Sequence, residues 1–438
     1  MIINHFMADT INYSKKGYSQ RYSTLLGKTI KETPSGVEAQ SHLLLLRGGF
    51  VDQALAAGVY SFLPLGLRVH QKIADVIRDE INKIGGQELL MPVLNPKNLW
   101  EESGRWEAFA PPLFKVKDQF EREFCLAPTH EEIISDIARR FIHSYKDLPF
   151  SAYHIQDKFR NEKRSSGGLL RTREFWMKDL YSFHAEQKSL DDFYVQVEQA
   201  YTNIFNRCGI KAVMVSAASG SIGGAVSNEF MAVTDIGEDR IAQCQQCQWA
   251  ANFETLSEGG EKELVCAQCG SAAVKEMRAI EIGHIFQLGT TYSKKMDVSF
   301  TNTAGKKELV LMGCYGIGLG RLLATAVEVN HDDKGIVWPR DIAPFAVHLV
   351  GLNLEEADVR DAAEKIYTQL SEKGIEVLYD DREDLTAGVK LKDADLIGCP
   401  YRVVVSKKTV GENKFEFKER NKEKSKMVAE DELFSLIK

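Results

Sequence analysis

KFRNEKRSSGGLLRTREFWMKD, residues 158–179, places six cationic side chains and one carboxylate in its first sixteen positions, with Ser-Ser-Gly-Gly between them. The overlapping stretches HIQDKFRNE (154–162) and REFWMKDLYSF (173–183) read as two strands, and the glycine-rich segment as the hairpin loop joining them. Strand alternation turns Arg160 and Glu162 to one face, and Arg171 and Arg173 together on the returning strand. A charge run is usually only a solvated surface. Here several guanidinium groups are fixed against a sheet, an arrangement suited to a polyphosphate, because arginine meets phosphate oxygens with a planar fork. A nearby carboxylate can accept from an adenine amino group, and Phe175 can stack on the base. The net charge of -7 fits a local basic site and argues against a surface that coats DNA or RNA.

Outward from the hairpin, Val69, Ile73, Val76, Ile77, Ile81 and Ile84 recur at helical spacing and predict a helix over 66–84. QELLMPVL then reads as a strand, and further helices are expected at 130–144 and 189–207. AIEIGHIFQLG (279–289) and ELVLMGCYGIGLGR (308–321) are strand-like, the second running into an apolar helix. VWPRDIAP (337–344) is the best domain boundary. Beyond it, strand and helix alternate in an α/β pattern, ending in a charged tail read as a solvated strand and loop. Residues 1–36 are polar and irregular. The expected domains are 1–36, an N-terminal extension; 37–340, interrupted by a cysteine module at 240–275; and 341–438.

At 438 residues, 44% hydrophobic and 27% charged, the composition is that of a globular chain of about three domains. No stretch approaches the ~20 apolar residues of a membrane helix. The start has no secretory pattern; it is weakly basic but contains Asp9, so the expected compartment is the cytoplasm, with the mitochondrial matrix as alternative. Four of eight cysteines stand alone. Cys244, Cys247, Cys266 and Cys269 form C-x2-C-x18-C-x2-C, the spacing of a structural zinc site, four thiolates around a tetrahedral Zn²⁺. The alternative is four reduced thiols without metal.

FRNE…LLRTREF resembles motif 2 of the class II aminoacyl-tRNA synthetases, GIGLGR (316–321) their motif 3, and the 66–84 helix with QELLMPVL their motif 1, which serves dimerisation. LAPTHEE (126–132), REFWMKDLYSFH (173–184), IGGAVSNEF (222–230), EIGHIFQLGTTYS (281–293) and MGCYGIGLGR (312–321) together resemble the bacterial-type prolyl-tRNA synthetases of class IIa, over roughly 36–438. The resemblance implies an α+β catalytic domain with a mixed, mainly antiparallel sheet, an α/β anticodon-binding domain, and a homodimer. It implies ATP with Mg²⁺, L-proline and tRNA(Pro) as the reacting partners. By motif, Arg160 would meet the α-phosphate and stabilise charge during attack by the proline carboxylate. Glu162 and Phe175 would hold adenine, Arg171 the terminal phosphates, and Arg321 the γ-phosphate. Thr129 and Glu131 would bind the secondary ammonium of proline, His284 would wall its pocket with Cys314 nearby, and Glu281 would contact ribose or metal.

The glycines of GCYGIGLGR do not spell G-x-G-x-x-G and no G-K-[ST] follows, so dinucleotide and P-loop readings fail on spacing. One departure stands out: Asn228 occupies a position where the family often has His. Only about a hundred residues separate His184 from His284, too few for the large editing insertion many relatives carry there. Size alone separates proline from alanine weakly, at about 1–3 kcal/mol per methylene, so a separate trans-editing deacylase is the expected partner. Near DDREDLTAGVKLKDADLIGCPYRVVVSKK, the residues Asp380, Asp381, Arg382, Lys390 and Lys392 are of the type that reads anticodon bases and phosphates. Two alternatives are a class IIa enzyme for another small amino acid, and a catalytically silent relative that binds tRNA or regulates. The T-x-E loop with GHIFQLG argues against the first, and the intact Arg160, Glu162, Phe175 and Arg321 against the second.

Overall fold

The computed structural model describes the chain except residues 1–17, 33–35, 218–219, 221, 225, 248, 254–264 and 438. Part of the expected N-terminal extension and of the cysteine module therefore lies outside the described residues. Among the described residues, a nine-stranded, mainly antiparallel sheet carries the opening hairpin. Its strands Phe150–Phe159 and Glu174–His184 pair from Phe150 against Phe183 to Phe159 against Glu174. The strand Leu311–Gly318 lies on the other side of Glu174–His184, with Cys314 opposite Tyr181 and Gly316 opposite Asp179. The strand Val274–Gly289 follows, with His284 opposite Gly316. Four motif segments that are distant in sequence thus become neighbouring strands.

Helices cover one face of this sheet. The helix Pro64–Lys83 starts with proline at its first turn, where a missing N–H is harmless, and stops before Gly85, which takes φ +83°. Leu65, Val69, Ile73, Val76, Ile77 and Ile81 form its buried stripe, each worth about 1.5–3 kcal/mol of apolar burial. The helices Gln187–Arg207 and Leu319–Val329 complete that layer, and their inward residues join the same core.

The second sheet has six strands. Gln20–Arg21, Val377–Asp380, Val347–Gly351 and Tyr401–Val405 are parallel; Phe415–Glu419 and Lys426–Val428 add antiparallel. The helices Ala357–Glu372 and Ala387–Ile397 alternate with the parallel strands, the expected α/β pattern. The main core runs on into this part of the chain through Leu378, Leu396, Ile397 and Cys399. Gly398 sits at φ +80° against Ile336, where a Cβ would lie 2.0 Å from the carbonyl oxygen.

Four readings change. Residues from Tyr18 to Arg21 do not form an irregular extension: Gln20–Arg21 adds a parallel edge strand to the second sheet, and Tyr22 is fully buried. Two residues are too short for a period to show. QELLMPVL contributes only Gln87–Glu88 to the sheet; Pro92 cannot donate to a ladder. The hairpin strands stop at Phe159 and start again at Glu174, so Arg160, Glu162, Arg171 and Arg173 lie in the loop ends rather than on strands. The charged tail holds a short helix, Lys407–Gly411, and a two-strand hairpin. Among the described residues, no helix is long and apolar enough to cross a membrane.

Candidate active site

A cavity of about 320 Å³ opens on the nine-stranded sheet, lined in part by its strands Glu174–His184, Val274–Gly289 and Leu311–Gly318. Thr129, Glu131, Arg160, Glu162, Arg171, Phe175, Glu281, His284, Cys314 and Arg321 all line it. The fold therefore brings together every residue for which the resemblance implied an ATP or proline contact.

At one end lie the arginines. Arg160 extends the hairpin ladder by one bond, its N–H donating to the Arg173 carbonyl at 2.8 Å. Its guanidinium sits over the Phe175 ring at 5.3 Å and makes no ion pair among the described residues; its Nε is buried without a partner. Burial and the nearby Arg321 push its guanidinium below its ordinary value. A half-buried cation with an unsatisfied buried donor is the arrangement an anionic ligand completes. Arg321 is tied by Nε to the Leu170 carbonyl at 2.9 Å and by Nη1 to the Glu281 carbonyl at 3.0 Å. Arg171 pairs with Glu238 at 2.6 Å, both half-exposed. Arg173, expected to face the same way as Arg171, turns off to the carbonyls of Glu162 and Ala57 at 3.1 and 3.2 Å. It fastens the loop and leaves the cavity to Arg171.

At the other end the Thr129 hydroxyl donates to both Glu131 oxygens, at 2.8 and 2.7 Å. Cys314 donates its thiol to Glu131 at 3.1 Å. Behind them Arg105, unnoticed in the sequence, is buried among Trp100, Phe109 and Tyr292. It reaches Glu131 at 3.1 Å and Glu132 at 2.9 Å. Burial opposes the Arg105 charge, but the field of Glu132 and Glu131 outweighs it and holds the guanidinium above its ordinary value. A lone arginine in SGRWEAF gives no periodic or spacing signal; only the tryptophans and the later Glu-Glu pair hint at it.

The side wall is a hydrogen-bonded chain. His284 stacks on Phe286, accepts or donates to Ser227 at 2.6 Å through Nε2, and meets Glu281 at 3.0 Å through Nδ1. Glu229, also not foreseen, lies 3.6 Å from the same nitrogen. Burial opposes the Glu281 charge, yet the His284 bond and Arg321 bring its carboxyl down to about 2, whereas burial and the charge of Glu281 push Glu229 up to about 7. Glu229, Glu281 and His284 bring one potential ligand atom each within 4.8 Å of the others, so this wall can take a cation. Asn228 faces the opposite side of its strand, where its side chain accepts from Tyr194 at 2.7 Å. The departure at this position therefore lies outside the cavity.

The sulfurs of Cys244, Cys247, Cys266 and Cys269 lie within 4.8 Å of one another, with Cys244–Cys269 at 3.6 Å and Cys247–Cys266 at 3.4 Å. A tetrahedron with Zn–S of about 2.3 Å has edges of about 3.8 Å, so the four thiols fit that ion. The anticodon candidates fare differently. Asp380, Arg382 and Lys390 are buried: Arg382 is forked onto Asp380 at 2.8 and 2.7 Å and Lys390 donates to the Gly351 carbonyl at 2.6 Å. Asp381 holds Ser23 of the edge strand's exit at 2.9 and 2.8 Å. These four side chains are thus engaged within the domain, Arg382 also lying over the Tyr22 ring, and of the five Lys392 is the exposed one.

Residues 114–330 match the model of the tRNA synthetase class II core domain (G, H, P, S and T), and residues 345–438 match that of the anticodon binding domain. A protein of Dehalococcoides mccartyi named proline–tRNA ligase is 38% identical over 560 aligned positions, covering 95% of this chain and 98% of the relative. A namesake from Geotalea daltonii is 37% identical, covering 91% and 95%. These alignments are longer than the chain itself, so each relative carries more than a hundred positions with no counterpart here. The solved prolyl-tRNA synthetase of Giardia lamblia, in complex with prolyl-adenylate, superposes with a TM-score of 0.73 at 20% identity over 88% of this chain and 73% of that one. That of Cryptosporidium parvum, complexed with halofuginone and AMPPNP, gives 0.76 at 18% identity over 92% and 78%. At such identities the likeness speaks to the fold.

Proposed function

The chain belongs to the proline–tRNA ligase family of class II synthetases, and from that premise we propose how its residues share the work. It activates proline and charges tRNA; neither a different small amino acid nor a silent role is favoured by its relatives. ATP is the activating substrate. Arg160, unpaired at the cavity wall, grips the α-phosphate while the proline carboxylate attacks phosphorus and pyrophosphate leaves. A ribose hydroxyl at the 3' end of tRNA(Pro) then attacks the prolyl carbonyl and AMP departs. Glu162 and Phe175 hold adenine, and Arg171 and Arg321 take the outer phosphates. Thr129 and Glu131 accept the two N–H bonds of prolinium, with His284 and Cys314 closing the pocket around the ring.

No covalent nucleophile is needed; positioning and charge stabilisation carry the rate. Glu281, held ionised, is the residue to contact ribose or Mg²⁺, which when bound neutralises phosphate charge. The cysteine module holds structural Zn²⁺ and takes no part in the chemistry. The working domains are a catalytic unit over 37–340 and an anticodon unit over 341–438, to which residues 18–22 belong by their strand pairing. A homodimer is supported by Leu90 and Leu94, 73% and 49% exposed beside the long helix, and a cytoplasmic setting by the reduced cysteines.

The observation that carries this reading is the convergence of ten motif residues on one cavity. Proline-dependent pyrophosphate exchange tests it. Arg160→Ala is expected to lower exchange by about 100-fold or more, in the range of losing a transition-state donor, in a protein that melts like the parent. Near-parental exchange would remove Arg160 from its role.

A further inference from the structure

Lys158 and Asp179 stand at the two ends of the 158–179 stretch. Lys158 is fully buried. Its ammonium lies 2.9 Å from His130 Nδ1, 2.8 Å from His154 Nε2 and 2.9 Å from Asp179 Oδ2. An ammonium has three N–H bonds and no acceptor, so these three partners use it completely. Both facing imidazole nitrogens must then be acceptors. His130 keeps its hydrogen on Nε2 and gives it to the Pro92 carbonyl at 3.1 Å, while the backbone N–H of His130 donates to Tyr181 at 3.0 Å.

The three partners come from three elements. His130 sits between Thr129 and Glu131. Asp179 lines the cavity from the middle strand. Lys158 itself is two residues before Arg160, and His154 is on the same strand. We propose that Lys158 is a positioning residue that locks the Thr129–Glu131 loop in register with Arg160, so that the ammonium and carboxylate of one proline molecule are met together. This rests on proline's ammonium lying at Thr129 and Glu131. A merely structural cation could sit anywhere in the core; this one ties the amino-acid end of the cavity to the phosphate end.

The charge balance makes the proposal testable by pH. The groups facing Lys158 are Asp179 from one strand, His130 and Glu131 from the neighbouring segment, and His154 and Arg160 from its own strand; Tyr181 and Cys314 act on Asp179 and Glu131 from beside them. Burial first, and then the Lys158 charge, hold His130 below its ordinary value; burial and Lys158 do the same to His154 against the pull of Asp179. With Lys158 replaced by methionine, Asp179 loses its cation and His154, 3.4 Å from it, is free to take up a proton as pH falls.

Pyrophosphate exchange is measured for Lys158→Met, for Lys158→Met/Asp179→Asn and for Glu131→Gln. Lys158→Met is expected to lower kcat/KM for proline about 100-fold at pH 8, the scale of stranding one member of a buried pair, with KM for ATP changed by less than about threefold. On going to pH 6 it should regain about fivefold or more, as protonated histidine replaces the lysine. The double variant, which has no stranded carboxylate and keeps the fold testable, should show the raised proline KM without the acid recovery. Equal losses for proline and ATP in Lys158→Met, or parental proline kinetics in the double variant, would overturn the proposal. Glu131→Gln separates the two ideas: an unchanged proline KM there sinks the substrate placement itself, while a raised one beside normal Lys158 variants sinks only the positioning role.

Discussion

Met177, Lys178 and Asp179 show how one step along a strand changes a residue's task. Met177 and Asp179 line the cavity; Lys178 points into the core, donating to the Tyr201 hydroxyl at 2.5 Å and the Tyr315 carbonyl at 3.1 Å. Burial pulls its ammonium down to about 7, against the attraction of Asp179. The unfolded chain, with an ordinary lysine, therefore holds one more proton than the folded chain between about pH 7 and pH 10, and stability from this group rises with pH across that window. Lys178→Met should abolish this rise. Thermal unfolding at pH 6.5 and pH 9 checks it: the parent should gain on the variant at the higher pH, and parallel shifts in both proteins would refute the assignment. Strand alternation sets Asp179 on the same face as Phe175 and Met177. Its partnership with Lys158, 21 positions away, followed from the hairpin register, which no local pattern contains.

The hairpin was legible as an element because its two halves are strand-like and its turn is rich in serine and glycine. Read from sequence, its strands overrun at the loop ends, to Glu162 and Arg173, and fall short at the other ends, since arginine and glutamate in a loop obey no period that distinguishes them from strand residues. The cysteine module was legible from spacing alone, because a metal site constrains the number of residues between ligands. We expect one zinc per chain by elemental analysis, and its loss in Cys266→Ser with a lower melting temperature but pyrophosphate exchange kept within about threefold, as suits a closed structural site. Protein that carries no zinc, and does not take it up after reduction, would leave the four thiols as an empty relic.

Across the whole molecule, ion pairs help hold the catalytic and C-terminal sheets together. Arg68 is buried with its Nε on the Pro344 carbonyl at 2.7 Å and a second nitrogen on Glu376 at 2.6 Å, where Lys72 also pairs. Arg420 forks onto Asp332 at 2.7 and 2.6 Å. The segment from Tyr18 to Tyr22 adds a further link, the Arg68 guanidinium lying 4.9 Å over the Tyr18 ring. The positions that its named relatives carry and this chain lacks have a functional counterpart at this level. With more than a hundred positions fewer than its relatives, the chain is expected to leave alanyl-tRNA(Pro) intact. Incubation of pure enzyme with the pre-formed ester measures this; rapid enzyme-dependent deacylation would contradict it and remove the need for a separate deacylase.

Local chemistry carried a long way in this protein. The cationic character of the hairpin, the failure of P-loop and dinucleotide spacing, the four-thiol site and the alternating C-terminal domain all depend on residue type and short spacing, which a linear chain displays directly. Arg105 behind Glu131, the Lys158 junction, the outward turn of Asn228, and the burial of Asp380, Arg382 and Lys390 depend on which strands become neighbours. Those contacts join residues up to hundreds of positions apart, and burial in a low-dielectric interior, not residue type, sets whether a charge reads a ligand or merely holds the scaffold.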